Sequence, residues 1–261
     1  MYCEMENSIR GVAFWLKALV IKMQITHYNI STEKTGKYKF AFVSDLHDYP
    51  NEVILKAVRD IKPDAILIPG DVIHNFSVYK RGIEFLNESS RIAPVYCSLG
   101  NHEMKAGQEI IDKIKNTKAT VLDNASVMFE EINIGGLTSG YKVGEKQKRI
   151  GKTPAPDLCW LEKYSREEGY KILLSHHPEY YARYVRGLPI DTVLSGHAHG
   201  GQIRIFDKGI LAPGQGIFPK YTHGMYDSKM IVSRGIGNQV PIPRINNPSE
   251  IIVITLNGRK E

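Results

Sequence analysis

The sequence predicts an α/β fold in one domain, residues 1–261, because short apolar runs alternate with stretches of helical character. A second observation concerns the ends of these runs: five of them close in polar residues that can bind metal. The composition is that of a globular protein, with 42% hydrophobic and 24% charged residues. Ligands bind α/β sheets at the carboxyl ends of the strands, so the five polar clusters are predicted to form one site.

The first three runs, residues 40–43, 65–68 and 94–99, are predicted strands in the amino-terminal half. Apolar residues at spacings of three and four predict helices between them, over 53–58 and 83–86. The runs lead in order into the tracts Ser44-Asp-Leu-His47, Gly70-Asp-Val-Ile-His74 and Gly100-Asn-His-Glu103.

Two further predicted strands, 171–174 and 191–194, lead into the tracts 175–178 (SHHP) and 195–199 (SGHAH). A lone histidine is more often a hydrogen-bonded core or surface residue than a ligand. Here, however, seven of the nine histidines lie at the strand ends, together with two aspartates and an asparagine, and this set predicts a metal site. The seven are His47, His74, His102, His176, His177, His197 and His199.

The residue types also indicate which metals would bind. Mixed imidazole and oxygen ligands suit Mn²⁺, Fe²⁺ and Zn²⁺, whereas Ca²⁺ requires oxygen ligands and structural zinc favours thiolates. The i, i+2 spacing of Asp45 and His47, and of His197 and His199, puts each pair on one side of an extended segment. A catalytic transition-metal site is therefore predicted.

The motifs D-x-H, G-D, G-N-H-E, a histidine before x-Pro, and G-H-x-H, in this order, resemble the calcineurin-like metallophosphoesterase superfamily. The resemblance covers about residues 38–257. The tracts 196–202 (GHAHGGQ), 218–221 (FPKY) and 233–238 (SRGIGN) further resemble a bacterial branch with membrane-associated and lipid-related phosphodiesterases. The resemblance implies a four-layer αββα sandwich of two mixed β-sheets flanked by helices.

Carried over position by position, the resemblance implies two divalent transition-metal ions, manganese first, with iron or zinc as alternatives. Their implied ligands are Asp45, His47 and His199 for the first ion, Asn101, His176 and His197 for the second, and Asp71 bridging both. The implied reaction is in-line attack of a metal-bridging hydroxide on a phosphodiester or, as the less favoured substrate, a phosphomonoester. His102 would assist the leaving group.

Several roles stay open. His74 stands where many family members carry an aspartate that positions the proton-donating histidine; it could support His102 weakly, face the phosphate itself, or cap the loop. Glu103 could order His102 or cap the following helix. His177 is expected to support a ligand rather than bind metal. Arg234 could offer a guanidinium fork to the substrate phosphate or belong to a tight loop.

The amino-terminal region, residues 1–24, is a candidate amphipathic helix, apolar over 11–21 except for Lys17. It is too short to span a bilayer, which takes about 20 apolar residues, and lacks the features of a secretory signal. It could pack on its own domain or lie on a membrane surface through residues 11–22. The basic stretch 142–152 could be a solvated loop or could steer phosphate.

Three unpaired cysteines, Cys3, Cys97 and Cys159, predict a reducing compartment, and hence a cytoplasmic protein with peripheral membrane contact as the alternative. The expected partner is a phosphate ester, lipid-linked as one option. A catalytically inactive metal-binding scaffold is the competing function, but every implied ligand is present. A nuclease is suggested by the pI of 9.0 alone, and without a basic stripe interleaved with aromatic residues no nucleic-acid partner is expected.

Overall fold

The computed structural model describes residues 23–145, 153–238 and 242–258. The candidate amino-terminal helix up to residue 22 and residues 146–152 of the basic stretch lie outside these ranges. Within them, two six-stranded sheets dominate the structure.

The first sheet has the strand order β1-β16-β2-β3-β4-β5. Strands β2 to β5 run parallel, whereas β16 is antiparallel to β2 and parallel to β1, so the sheet is mixed. The bounds are β1 (Gln24–Ser31), β2 (Tyr38–Phe42), β3 (Ala65–Ile68), β4 (Val95–Ser98), β5 (Thr120–Leu122) and β16 (Glu250–Asn257).

The second sheet, in the order β14-β15-β9-β8-β7-β6, has a parallel centre and an antiparallel strand at each edge. Its strands are β6 (Ala125–Phe129), β7 (Ile132–Leu137), β8 (Tyr170–Ser175), β9 (Thr192–Ser195), β14 (Gly224–Tyr226) and β15 (Met230–Val232). Two short hairpins follow β9 and consist of β10 (Arg204–Ile205), β11 (Lys208–Gly209), β12 (Leu211–Ala212) and β13 (Gly216–Ile217).

The helices connect the strands on the outer faces of the sheets. They are α1 (Asn51–Ile61), α2 (Lys80–Ser89), α3 (Asn101–Ala106), α4 (Gln108–Lys115) and α5 (Leu158–Ser165), with a π-helical turn at Tyr181–Val185 and a 3₁₀ turn at His199–Gly201. Helices α1 and α2 contain the predicted helical stretches 53–58 and 83–86. Among the described residues, no helix has both the length and the apolar character needed to cross a membrane.

The burial of alternate residues explains the layers. In β2, Phe40 and Phe42 point between the sheets, whereas Ala41 packs with the helices on the other face. Buried residues of the second sheet, such as Leu174, complete the middle of the sandwich, and its Leu173 faces the layer of α5. Strands buried on both faces read as continuous apolar runs, which is why the sequence shows them clearly. The four-layer sandwich of two mixed sheets is thereby confirmed.

Candidate metal centre

The predicted ligands come from both sheets and meet at one edge of the sandwich, which we call the metal edge: the edge at the carboxyl ends of β2, β3, β4, β8 and β9. All seven side chains are buried. The first sheet contributes Asp45, His47, Asp71 and Asn101, and the second contributes His176, His197 and His199.

The first group consists of Asp45, His47 and His199. The two histidine Nε2 atoms lie 3.3 Å apart, and they lie 3.8 Å and 3.7 Å from Asp45 Oδ1. Bonds of about 2.0–2.2 Å place ligand atoms around one ion roughly 3–4 Å apart, so these separations fit a single cation. His47 Nδ1 also donates to the Ile73 carbonyl at 3.3 Å, which leaves Nε2 free to bind metal.

The second group consists of Asp71, His176 and His197. His176 Nε2 lies 3.0 Å from Asp71 Oδ2 without the alignment of a hydrogen bond. Within the described ranges, both ring nitrogens of His176 and Oδ1 of Asn101 are buried without a hydrogen-bond partner. Buried polar atoms of native proteins are rarely left unpaired, so these atoms also fit a cation.

Asp71 belongs to the second group and also faces the first. Its Oδ2 lies 3.0 Å from His176 Nε2 in the second group and 3.9 Å from His47 Nε2 in the first. The same carboxylate oxygen therefore faces both groups, the position required of a bridging ligand.

The ligand residues share an unusual backbone conformation. Positive φ angles of 45° to 63° occur at five of them: Asp45, His47, Asp71, His197 and His199. Aspartate and histidine enter this left-handed region more readily than most residues, yet each such residue costs stability. Strain concentrated at these positions is typical of a functional site.

Motif glycines and backbone amides hold the two carboxylates. A Cβ at Gly196 would lie 2.3 Å from Asp45 Oδ2, and one at Gly100 would lie 2.2 Å from Asp71 Oδ1. The amide of His197 donates to both oxygens of Asp45 at 2.9 and 3.1 Å. The Asp45–His197 contact joins the two sheets, because Asp45 follows β2 and His197 follows β9.

Glu103 fixes the loop that carries Asp71. Its buried carboxylate accepts hydrogen bonds from the amides of Asp71, Val72 and Ile73 at 2.8–3.2 Å. It also accepts from the amide of Gly100 at 2.8 Å, immediately before α3, so the predicted helix-capping role is present. Burial and the charge of Asp71 raise the pKa of Glu103 to about 7, and a nearby cation would relieve this repulsion.

The pKa values of the buried histidines are set by burial and by the nearby carboxylates. Burial, reinforced by neighbouring histidines, lowers the pKa of His47 and of His197 well below the usual range. Burial opposes a proton on His176 too, but Asp71 and Asp45 outweigh it and raise its pKa to about 9. Metal binds neutral imidazole, so His47 and His197 already favour the form that binds metal. The raised pKa of His176 reflects a local demand for positive charge beside Asp45 and Asp71.

His102 has a different position from the ligands, because its side chain is 22% exposed. Its Nδ1 forms a short hydrogen bond with the backbone carbonyl of His74, and its Nε2 faces Asp71 Oδ2 at 3.9 Å. The backbone carbonyl of His74 thus orients His102, whereas the sequence analysis considered a role for the His74 side chain. The His74 ring stacks on that of His102 at 5.6 Å, and burial lowers the pKa of His74. A catalytic part for the His74 ring stays a prediction.

His177 packs beside the second group. Its ring centroid lies 4.3 Å from that of His197, and its Nε2 lies 2.7 Å from Ser139 Oγ. This contact with a ligand's ring agrees with the predicted supporting role.

The arginine that reaches the metal groups is Arg244, which the sequence did not single out. Its Nη2 contacts His199 Nδ1 at 3.3 Å and donates to the Gly237 carbonyl, while Nη1 donates to the Arg234 carbonyl. Burial and Arg244 together lower the pKa of His199 to about 4. Arg234 instead directs Nη1 to Gln24 in β1 at 2.9 Å, so its part in substrate binding stays a prediction.

We expect Arg244→Ala to weaken Mn²⁺ binding by about 10- to 100-fold, the usual effect of losing a group that positions a ligand. The loop 234–237 would lose its clamp beside Asp45 and His199. Calorimetric titration of the metal-stripped protein measures this effect, with Arg234→Ala as the matched control. Unchanged Mn²⁺ affinity in Arg244→Ala would contradict the positioning role.

Comparison with known proteins agrees with this geometry. The family model described as calcineurin-like phosphoesterase matches residues 38–201. An uncharacterized metallophosphoesterase of Campylobacter jejuni is 33% identical over 223 residues, covering 83% of this chain and 56% of that protein. The phosphodiesterase YaeI of Escherichia coli is 28% identical, covering 66% of this chain and 64% of YaeI. This chain therefore spans less than two thirds of either relative.

Two further similar proteins are matched over different shares of the chain. An uncharacterized metallophosphoesterase of Aquifex aeolicus is 29% identical, covering 91% of this chain and 93% of that protein. Among solved structures, the NAD nucleotidase of Haemophilus influenzae superposes with a TM-score of 0.50 at 19% identity, covering 62% of this chain and 43% of that protein. The latter similarity concerns the fold alone.

Proposed function

The chain belongs to the calcineurin-like phosphoesterase family, and on that premise we propose that it is a binuclear metal-dependent phosphodiesterase. The observation that carries the proposal is the position of Asp71, whose Oδ2 faces His176 at 3.0 Å and His47 at 3.9 Å. A carboxylate shared between two histidine groups supports two ions rather than one.

Two divalent ions, when bound, would supply positive charge that polarises the phosphoryl group and lowers the pKa of a water molecule. Asp45, His47 and His199 would hold one ion, Asn101, His176 and His197 the other, and Asp71 both. Backbone amides hold both aspartates in position before substrate arrives: the amide of His102 donates to Asp71, and the amide of His197 donates to Asp45. Such preorganisation supports catalysis because little has to move in the reaction.

His102 would serve the leaving group. The His74 carbonyl holds its Nδ1–H, so Nε2 is the nitrogen that can carry a proton toward the ester oxygen. A carbonyl stabilises a protonated imidazole less than a carboxylate would, because it has no full negative charge.

A diester is favoured over a monoester by two considerations. The name of YaeI is that of a phosphodiesterase, and YaeI is similar to this chain. In addition, His74 stands where many family members carry an aspartate, and its imidazole could donate a hydrogen bond to the additional ester group of a diester. The lipid-linked substrate and the membrane contact through residues 11–22 stay predictions.

We expect Mn²⁺-loaded protein to hydrolyse bis-p-nitrophenyl phosphate with a kcat/KM about tenfold or more above that for p-nitrophenyl phosphate, a ratio typical of pocket-level discrimination. Steady-state rates on the two esters measure it, with metal-stripped protein as the control. A higher kcat/KM for the monoester would overturn the diester assignment. The absence of Mn²⁺-dependent turnover of both esters would contradict the proposal that the protein is a phosphoesterase acting on such substrates.

A further inference from the structure

The two hairpins after β9 expose apolar side chains beside the metal edge. The chain leaves the ligand His199, makes one 3₁₀ turn, and enters β10 at Arg204. Ile210 joins the hairpins: its amide donates to the Ile203 carbonyl at 2.9 Å, and its carbonyl accepts from the Phe218 amide at 2.8 Å. The pair therefore forms one surface, residues 203–218, which we call the hairpin surface.

The apolar residues of the hairpin surface lie mainly at its turns and ends. Phe206, in the turn between β10 and β11, is 95% exposed, and Phe218, directly after β13, is 74% exposed. Both adopt left-handed φ angles, 52° and 53°, which are unfavourable for bulky side chains. Their exposed apolar neighbours are Ile205, Leu211 and Ile217, with Ile245 beside Ile203 through a β-bridge. Such clustering is uncommon on a soluble surface without a partner.

Basic side chains flank the two phenylalanines. Lys208, which pairs with Ile205 across the first hairpin, is exposed, and so is Lys220, two residues after Phe218. The chain as a whole has a net charge of +6. One acidic residue, Asp207, lies between Phe206 and Lys208, so two lysines face one carboxylate on this surface. Protruding aromatic residues followed by lysines match the chemistry of an anionic lipid surface, whose interior takes the rings and whose headgroups take the ammonium groups.

The first described strand, β1, begins at the same edge. Gln24 pairs with Glu250, at the end of β16 that lies beside the carboxyl end of β2. The Gln24 side chain contacts Arg234, next to the loop that packs on Asp45.

We propose that the hairpin surface docks the metal edge on an anionic lipid bilayer, with Phe206 and Phe218 inserted among the headgroups. The occupant is a bilayer rather than a protein groove because the most exposed side chains are protruding turn and end residues with lysines beside them. Docking does not depend on turnover, so the proposed phosphodiesterase activity and this contact can fail separately.

The test is cosedimentation of the full chain with vesicles of phosphatidylcholine and phosphatidylglycerol, without substrate. We expect Phe206→Ser and Phe218→Ser each to lower the partition coefficient about tenfold, because each removes a large exposed apolar side chain that would insert into the bilayer. Hydrolysis of a soluble ester should be unchanged. Met128→Ser is the matched control, since Met128 is 52% exposed in β6 near the opposite edge of the sandwich.

Equal vesicle binding by wild type and the double variant Phe206→Ser/Phe218→Ser would overturn the proposal. A variant with Trp15→Ser and Leu19→Ser would then show whether residues 11–22 carry the binding instead. Absence of vesicle binding by the wild type would also overturn it. So would a self-association, measured by sedimentation velocity, that the double variant abolishes while its vesicle binding is unchanged. Binding to phosphatidylglycerol vesicles that falls in the two single variants and in the double variant, but not in Met128→Ser, supports it.

Discussion

Asp71→Asn should release both metal ions and lower kcat/KM for a diester on the order of a thousandfold. The substitution removes a negative charge that faces both histidine groups, since Asp71 Oδ2 lies 3.9 Å from His47 Nε2 and 3.0 Å from His176 Nε2. The asparagine oxygen can still accept the His102 amide hydrogen bond that Asp71 Oδ1 accepts at 2.9 Å, so the loop should persist. The expected loss is therefore one of metal binding rather than of fold.

Elemental analysis and steady-state rates of the same preparation test this expectation. Asp60→Asn is the matched control, because Asp60 is an exposed aspartate on α1, paired only with Lys56. An Asp71→Asn protein that loses one ion and retains the other at full occupancy would show that the carboxylate serves a single site. Full activity of the Asp71→Asn protein would refute the role of Asp71 in the metal centre altogether.

His102→Ala should slow hydrolysis of a diester with an alkyl leaving group by about 100-fold or more, the usual contribution of a general acid. The effect on p-nitrophenyl esters should be much smaller, because p-nitrophenolate leaves without a proton. Metal content should be unchanged, since His102 is not among the implied ligands. Rates of wild type and variant on both ester types measure the difference.

His74→Ala is the matched comparison, because the variant keeps the backbone carbonyl that orients His102. If the carbonyl is the working group, His74→Ala should keep most of the activity on alkyl esters. A loss equal to that of His102→Ala would instead assign the proton to the His74 ring. Equal slowing of both ester types by His102→Ala would contradict its role as an acid.

The α/β class and the clusters of polar residues at the strand ends could be predicted from local sequence patterns, and the four-layer arrangement from the resemblance to the family. Residues 65–68 form an apolar run of strand length, and β3 spans the same four residues. The polar tracts at strand ends, such as Asp45-Leu-His47, could be placed at one edge because parallel strands align their carboxyl ends. Type, spacing and position along the chain therefore predicted a metal site, whereas the assignment of ligands to two ions came from the resemblance to the family.

The supporting contacts could not be predicted, because they depend on backbone geometry and distant segments. Arg244 reaches His199 from 45 residues away, through a loop without regular structure. The carbonyl of His74 orients His102, and a carbonyl leaves no mark on the sequence, since every residue has one. Glu103 was recognisable as a helix cap, but its bonds to the Asp71 loop require knowledge of how β3 and β4 end side by side.

The most direct test of the two-metal centre is titration of the metal-stripped protein with Mn²⁺, following bound metal and the hydrolysis of bis-p-nitrophenyl phosphate together. The arrangement around Asp71 predicts that binding and rate both saturate at two ions per chain. Saturation of both at one ion per chain, or full activity of the stripped protein in the presence of a chelator, would contradict it.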